Sequence, residues 1–347
     1  MTVIHLAMMA AAALGCAYVV SRRNAPLLRA LCIALLGALD VVGAMVLGDH
    51  GRFATARLAG TGLFVGGFAY FAAVAAVSWR RRRGVAVAHA VAAVVVGWLG
   101  VQAFFVEPQW LEITHYQVRS SKITRPLRIA LLADIQTGDV GAYERDVLRR
   151  VAGEKPDLIL FGGDYIQAEY AGRGRQVKAL NAVLREADLK APLGCFAVRG
   201  NIDDDDWAQS FAGLAIVTAQ RTRSIDLGEV RLTLLSEDDS YETVVAPDKA
   251  FHIVMGHRPD YAMGDISADL LLTGHTHGGQ VRLPFLGPVI KFSRIPRSWA
   301  AGLTDIGRGR TLVVSRGIGL ERGEAPRVRL FCRPEVPIID VIPDNRP

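Results

Sequence analysis

Thr273-Gly274-His275-Thr276-His277-Gly278-Gly279-Gln280 follows the apolar run Leu270-Leu271-Leu272, and its reading governs how the rest of the chain is understood. A short apolar run before a glycine suits a buried strand. Two imidazoles two residues apart at its end, with glycine on both sides, suit ligands presented to one metal centre, because glycine lets the backbone turn sharply and approach a ligand closely. A lone histidine at a strand end would read as an ordinary surface or core residue; the pair set between glycines favours ligation.

The same pattern recurs toward the N-terminus. Arg128 to Ala133 reads as a buried strand ending on Asp134-Ile135-Gln136, and a helix is expected over Tyr143 to Ala152, where Val147, Leu148 and Val151 fall at helical spacing. Leu158 to Phe161 is a second strand, ending on Gly162-Gly163-Asp164. A helix near Val177 to Leu184 leads to a third, Gly194 to Val198, ending on Arg199-Gly200-Asn201. Further strands are Val230 to Leu235, Phe251 to Met255 ending on Gly256-His257, and Asp269 to Leu272 ending on the histidine pair. In α/β architectures ligands bind outside the carboxyl ends of strands, so Asp134, Asp164, Asn201, His257, His275 and His277 can converge there. This oxygen and nitrogen set suits Mn, Fe or Zn better than Ca. It exceeds the roughly three protein ligands of one catalytic zinc. Two divalent metals sharing a carboxylate fit better; such a pair can hold a bridging hydroxide and clamp an in-line phosphoryl displacement.

The order Asp134-x-Gln136, Gly163-Asp164, Gly200-Asn201, Gly256-His257, Gly274-His275-Thr276-His277 resembles the calcineurin-like metallophosphoesterases, whose motifs run D-x-H, G-D, G-N-H-[DE], H and G-H-x-H. The resemblance spans nearly everything after Arg128. The tail, Ser315-Arg316-Gly317-Ile318-Gly319, Pro326 and Cys332-Arg333-Pro334-Glu335, is similar to the membrane-associated bacterial branch. What this implies is an α/β fold, a two-sheet β-sandwich flanked by helices (αββα). It also implies a dinuclear phosphoric ester hydrolase in which a metal-bridging hydroxide attacks phosphorus. Asp134, Asp164 and His277 would hold one metal and Asn201, His257 and His275 the other, with Asp164 bridging.

Two positions depart from the family pattern. Gln136 stands where D-x-H has histidine; its amide oxygen can still ligate as a neutral, weaker donor, which favours a looser first metal or a harder ion such as Mn. Ile202 stands where the family has the histidine thought to assist the leaving group, and isoleucine can neither donate a proton nor bind an oxyanion. The chain is then either a catalytically weakened metal-binding membrane sensor or scaffold, or an enzyme whose leaving group needs little protonation, such as a phosphoanhydride. General-acid help is worth about 10² to 10⁴-fold, so its loss slows turnover without abolishing attack. Persistence of the other ligands favours the enzyme. Asp164, Asn201 and Asp203 are the expected catalytic residues, Asp203 as a group supporting the ligands from behind or as an alternative acid, although Asp203 to Asp206 as a run read more readily as helix-capping charges before Trp207. Arg199 either binds substrate phosphate or pairs with that run. His252 reads as structural, and His115 has no evident partner.

The first part of the 347-residue chain differs in composition, being almost all Ala, Val, Leu and Gly up to Val106, with a boundary near Glu107-Pro108. Residues 1–106 are expected as a four-helix transmembrane region and 107–347 as the metallophosphoesterase domain. The apolar runs Val3 to Val20, Leu27 to Leu47, Leu58 to Trp79 and Val85 to Val106 each approach the roughly 20 residues needed to cross a bilayer. A cleaved signal peptide is disfavoured, because the first run lacks a basic leader and three more follow. Arg22, Arg23 and Arg29 at the first turn, and Arg80 to Arg83 after the third run, outweigh Arg52 and Arg57 between the second and third. The positive-inside rule then puts the first and third connections in the cytoplasm and the catalytic domain on the extracytoplasmic face of an inner membrane. The expected partners are the lipid bilayer and a phosphoester, in this setting a lipid-linked or cell-envelope one, of which the family's hydrolases of UDP-diacylglucosamine are an example. Much of the net charge of +6 lies in arginines beside membrane segments, so nucleic acid is not an expected partner. Cys195 and Cys332 sit in apolar surroundings and read as buried free thiols. Asp40 and His89 fall inside membrane runs, where they either mark a pathway or pair helices.

Overall fold

The computed structural model describes residues 2–22, 25–47 and 51–344, and the chain divides into two compact units, residues 1–106 with 324–327 and residues 107–323 with 328–347. The first contains four helices, α1 (Thr2–Arg22), α2 (Pro26–Leu47), α3 (Arg52–Ser78) and α4 (Arg83–Val101), the last continued by a π-helical turn over Gln102–Val106. All four are long and apolar enough to cross a membrane, which marks a multi-pass membrane protein. Arg23 lies outside the described residues. The third helix starts at Arg52, before the apolar run at Leu58, because nothing between them breaks a helix; Arg57 is thus a helix residue and not a loop residue. Asp40 pairs helices: its Oδ1 lies 2.7 Å from His5 Nε2. The close approach depends on Gly62 of α3, where a Cβ would stand 2.0 Å from the same carboxylate oxygen. His89 Nδ1 bonds the Val85 carbonyl of its own helix at 2.9 Å.

In the second unit two mixed six-stranded sheets pack face to face, with helices over the first. One sheet contains β1 (Glu112–Ser120), β2 (Leu127–Leu132), β3 (Leu158–Phe161), β4 (Cys195–Val198), β5 (Ile216–Ala219) and β14 (Glu335–Pro343), in the order β1-β14-β2-β3-β4-β5. The other contains β6 (Arg223–Asp226), β7 (Val230–Leu234), β8 (Phe251–Met255), β9 (Leu270–Thr273), β12 (Gly302–Asp305) and β13 (Thr311–Val314), in the order β12-β13-β9-β8-β7-β6. A short hairpin, β10 (Arg282–Leu283) with β11 (Gly287–Pro288), stands apart.

Strand alternation makes the layers. Ile129 and Leu131 of β2 face the other sheet, where they join Leu158, Leu160, Leu232, Ile253, Leu270 and Leu272 in the central core. Their neighbours Ala130 and Leu132 face the opposite way, onto Val147, Leu148 and Val151 of α5 (Ala142–Gly153) and Leu180 and Leu184 of α6 (Tyr170–Ala187). Leu271, Val254 and Leu312 face outward from the second sheet into a third cluster closed by Tyr261. Both sheets are therefore buried on two faces, which is why their central strands read as unbroken apolar runs. β2, β3 and β4 run parallel, as do β7, β8, β9 and β13, so their carboxyl ends carry loops to one region.

Candidate metal centre

Each loop that follows a central strand is tied to its neighbours by backbone bonds. Asp134 N donates to Gly163 O at 3.0 Å and Gln136 N to Asp164 O at 2.9 Å, joining the loops after β2 and β3; Gly274 N donates to His257 O at 3.1 Å, joining those after β8 and β9. The two sheets are then linked by side chain to main chain, since both carboxylate oxygens of Asp134 lie 3.0 Å from His275 N. Asp134, Gln136, Asp164, His275 and His277 all adopt left-handed backbone, with φ of 52°, 35°, 58°, 68° and 48°. Such conformations cost about 1 to 3 kcal/mol each in non-glycine residues and concentrate where surrounding structure forces them for function. Glycine permits the crowding at Gly200, where a Cβ would stand 2.1 Å from Asp164 Oδ1, and at Gly317, where it would meet both Asp134 and His277 Nδ1.

Imidazole orientation follows from the bonds around it. His257 Nδ1 lies 2.8 Å from the Gly162 carbonyl, which can only accept, so this nitrogen carries a proton and Nε2 is the atom left to face a metal once its own proton is lost. That Nε2 is 2.9 Å from Asn201 Oδ1 and 3.3 Å from Asp164 Oδ2. His275 Nε2 faces two groups with opposite demands: the Phe292 carbonyl at 3.0 Å accepts, and Arg258 Nη1 at 2.9 Å donates. Ligation through Nδ1 requires the Phe292 bond. Among the described residues, neither ring nitrogen of the buried His277 has a partner, and neither does the amide oxygen of Gln136, whose Nε2 is held by Gln167 Oε1 at 3.0 Å and Glu321 Oε2 at 3.1 Å. Donor atoms of Asp164, His257 and His275 lie within 4.8 Å of one another. Buried polar atoms left without partners are costly. A divalent cation held by this set removes that cost, so the residues fit the metal that the motifs imply.

The electrostatics are those of a cation site. Burial raises Asp134 to about 7, against the opposing pull of His257 and with help from the Asp164 charge. For Asp164 burial also acts upward, but His257 and the Ile202 N–H outweigh it and hold the carboxyl below its usual range. His257 is disfavoured as a cation by burial, yet the Asp164 and Asp134 carboxylates push it up to about 9. Burial, then the neighbouring His257 and Arg258 charges, lowers His275 to about 3, and burial with Arg329 keeps His277 well below its ordinary value. The last two rings are thereby held as neutral imidazole, the ligating form.

Asn201, Asp164 and Asp134 all lie within 4.0 Å of the His257 ring, and Asp134 also reaches His275 N; Asp134 and His277 both border Gly317, and Gln136 presents its unpartnered amide oxygen from a buried position. Asp203 faces inward and accepts from Asp164 N, Tyr165 N and Gly200 N, each at 2.8 Å. The capping expectation for Asp203 to Asp206 is corrected: only a five-residue 3₁₀ turn, Trp207–Phe211, follows, and Asp206 makes no side-chain capping bond. Asp204 instead pairs with Arg173 at 2.7 Å and Asp205 with Arg199 at 3.0 Å, so Arg199 is engaged by the acidic run. Ile202 contributes its backbone N–H to Asp164 Oδ1 at 3.0 Å, leaving an aliphatic side chain at the rim. His252 is a strand residue whose Nε2 lies 2.8 Å from Thr233 Oγ1, and the half-exposed His115 lies 3.7 Å from Glu154.

Sequence reading missed four residues here. Arg258 stacks on Tyr241 at 4.3 Å, donates to Glu237 at 2.9 Å and reaches the His275 ring; its place directly after His257 was the available signal. Gln167 and Glu321 together orient Gln136. Arg329, wholly buried, gives its guanidinium to the carbonyls of Arg316, Gly317, Gly319 and Cys332, with bonds of 2.6 to 3.2 Å, and so fixes the loop that covers Asp134.

Residues 127–279, which hold all of these candidate ligands, match the calcineurin-like phosphoesterase family. Over 264 residues the chain is 30% identical to the phosphodiesterase YaeI of Escherichia coli, with 69% of this chain and 91% of YaeI covered. It belongs to the calcineurin-like phosphoesterase family. Among other members, metallophosphoesterase YkuE of Bacillus subtilis is 29% identical over 265 residues, covering 70% of this chain and 90% of YkuE. The UDP-2,3-diacylglucosamine pyrophosphatase LpxG of Chlamydia muridarum is 25% identical over 325 residues, covering 72% and 94%. As a calcineurin-like phosphoesterase the chain is a metal-dependent hydrolase, and its two mixed sheets with flanking helices are the fold that its motif order implied.

Proposed function

We propose that this membrane protein hydrolyses a lipid-linked phosphoester or phosphoanhydride whose leaving group departs without a protein acid. The observation that carries the reading is the pairing of the Asp164, His257 and His275 donor cluster with an aliphatic side chain at Ile202. Asp134, Gln136, Asp164 and His277 would hold one divalent ion, and Asn201, His257 and His275 with Asp164 the second; manganese suits the oxygen-rich first set, with iron or zinc as alternatives. When bound, such ions act as Lewis acids toward phosphoryl oxygen and activate water near neutral pH.

The chain's own residues do the rest. The Gly162 carbonyl fixes the His257 tautomer, and Asp203 holds the Asp164 and Asn201 loops together as a positioning group. Arg258 supplies a cation beside His275 for the substrate's phosphate. A phosphoanhydride is favoured because its departing phosphate needs little protonation. The pyrophosphatase activity in the name of LpxG, and the membrane helices of this chain, make a lipid-linked nucleotide diphosphate the first substrate to try. Helix charge bias supports an extracytoplasmic catalytic unit as part of this reading.

The deciding experiment assays the full chain in detergent with added manganese on a phosphomonoester, a phosphodiester and a nucleotide-diphosphate lipid. Turnover of the last, falling by about 10³-fold in Asp164→Ala, is expected. Metal binding with no turnover on any substrate would overturn the enzyme and leave a metal-binding sensor or scaffold.

A further inference from the structure

The hairpin that follows the Gly274–Gln280 motif carries features that the metal centre does not use. Its strands pair Arg282 with Pro288 and Leu283 with Gly287. At the tip Phe285 is fully exposed and Leu286 is 67% exposed, while Leu283, Val289 and Ile290 also stand in solvent. Phe285 has φ of 66°, which a bulky residue adopts only where the chain is held. Among the described residues of the globular unit, no other stretch so short exposes as many large apolar side chains. Soluble surfaces rarely keep such a patch unless it meets something.

The base of this arm is pinned. Arg282 N donates to Leu330 O and Val289 N to Val281 O, both at 2.9 Å, and Asp260 accepts from Ser293 Oγ at 2.7 Å and Arg294 N at 3.1 Å. The apolar tip is flanked by four cations, Arg282, Lys291, Arg294 and Arg297, none of which pairs with a carboxylate among the described residues. Three of them are steadied by backbone carbonyls: Arg282 by Gly278, Lys291 by Ile295 and Arg297 by Pro288. Apolar side chains beside unneutralised cations match the boundary between acyl chains and anionic headgroups. The apolar helices of the same chain keep the globular unit near a bilayer, and this tethering makes even a small patch effective.

We propose that the Arg282–Arg297 arm is a membrane-contact element that inserts its Leu283–Ile290 tip into an anionic phospholipid surface. The inference rests on the bilayer anchor and is independent of the phosphoesterase reading. The arm is also continuous with the metal centre, through the Phe292 carbonyl on His275 and the Ile290 carbonyl, which a Cβ at Gly279 would meet at 2.4 Å.

The test labels the full chain with an environment-sensitive fluorophore at Phe285→Cys or Leu286→Cys, the native cysteines being buried. A control label goes at Tyr170→Cys, a position 95% exposed. The protein is placed in nanodiscs of phosphatidylcholine, with or without phosphatidylglycerol, and probed with a lipid-borne and an aqueous quencher. Several-fold stronger lipid quenching at 285 and 286 than at 170 is expected. It should increase with phosphatidylglycerol, and the double variant Lys291→Glu, Arg294→Glu should lose that increase. Equal access of the aqueous quencher to all three labels would overturn the proposal. So would a shielded label untouched by lipid quencher and dependent on the number of chains per disc, which would assign the patch to a second copy.

Discussion

The two sheets deliver different donors to the metal centre and support them differently. From the second sheet come three imidazoles, two kept neutral by burial and the third oriented by a carbonyl of the first sheet. The first sheet sends oxygen donors, Asp134, Gln136, Asp164 and Asn201, whose positions depend on acids behind them: the buried Asp203 behind Asp164 and Asn201, the half-buried Glu321 behind Gln136. Both departures from the family motif, Gln136 and Ile202, lie on the first-sheet side. On the proposed reading, metal capture rests mainly on the imidazoles of one sheet, while strength of ligation and choice of leaving group would be set by the other.

The sharpest way to break this division is Ile202→His. It should accelerate substrates with poor leaving groups by about 10²-fold or more while leaving good ones within about twofold, because general-acid help matters only where a proton is needed; a uniform change in kcat across a leaving-group series would sink the assignment. Glu321→Ala comes next. Loss of the group that orients Gln136 should weaken metal affinity about 10 to 100-fold, read by isothermal titration with manganese, whereas unchanged affinity would mean that Gln136 is no ligand. Asp203→Asn places an amide where three N–H donors converge and should destabilise the fold by about 2 to 3 kcal/mol, seen as a lowered thermal midpoint. If stability held and only the acidic limb of the pH–rate profile moved, Asp203 would be an acid and not a positioning group.

The smallest effect concerns pH. Asp134, raised from 3.8 to about 7, and His257, raised from 6.5 to about 9, both hold protons that a metal must displace, and they titrate as one cluster. Metal affinity should therefore rise with pH through about 7 to 9, with proton release that shrinks above 7 as Asp134 empties first. In the metal-free protein the sign for folding is the reverse. Raised folded values stabilise below the unfolded ones, and that contribution is lost as pH climbs through them. His275, depressed from 6.5 to about 3, acts oppositely and loses its contribution as pH falls through that range. Titrations in buffers of different ionisation enthalpy count the protons; none released would contradict the cluster.

Much of this was legible in the chain itself, for identifiable reasons. Strands buried on both faces, such as Leu270-Leu271-Leu272, announce themselves as apolar runs, and the ligands follow them directly. Less legible were parts whose meaning depends on distant partners. β14 contains Pro337, which argues against a central strand, yet it lies between β1 and β2, 208 residues beyond the residue it faces at Ala130. Glu335 looks like a surface acid but is buried under Thr114, Tyr116 and Arg316. In the run Asp203 to Asp206 four like carboxylates diverge: one turns inward, and three face outward to arginines whose positions no local pattern reveals.

The place of β14 has a further consequence for how the protein is made. When β2 leaves the ribosome, its neighbour on one side is still about 200 residues from synthesis, so the strand that carries Asp134 waits with one edge open. The Ser315–Gly319 loop, whose Ile318 and Gly319 amides cap Ala133 and Asp134, reaches its post only after Arg329 and Glu335 have emerged to hold it. Closure of that loop over Asp134 therefore belongs after translation of the last strand, and a nascent chain stalled before it presents His275 and His277 without their finished surroundings.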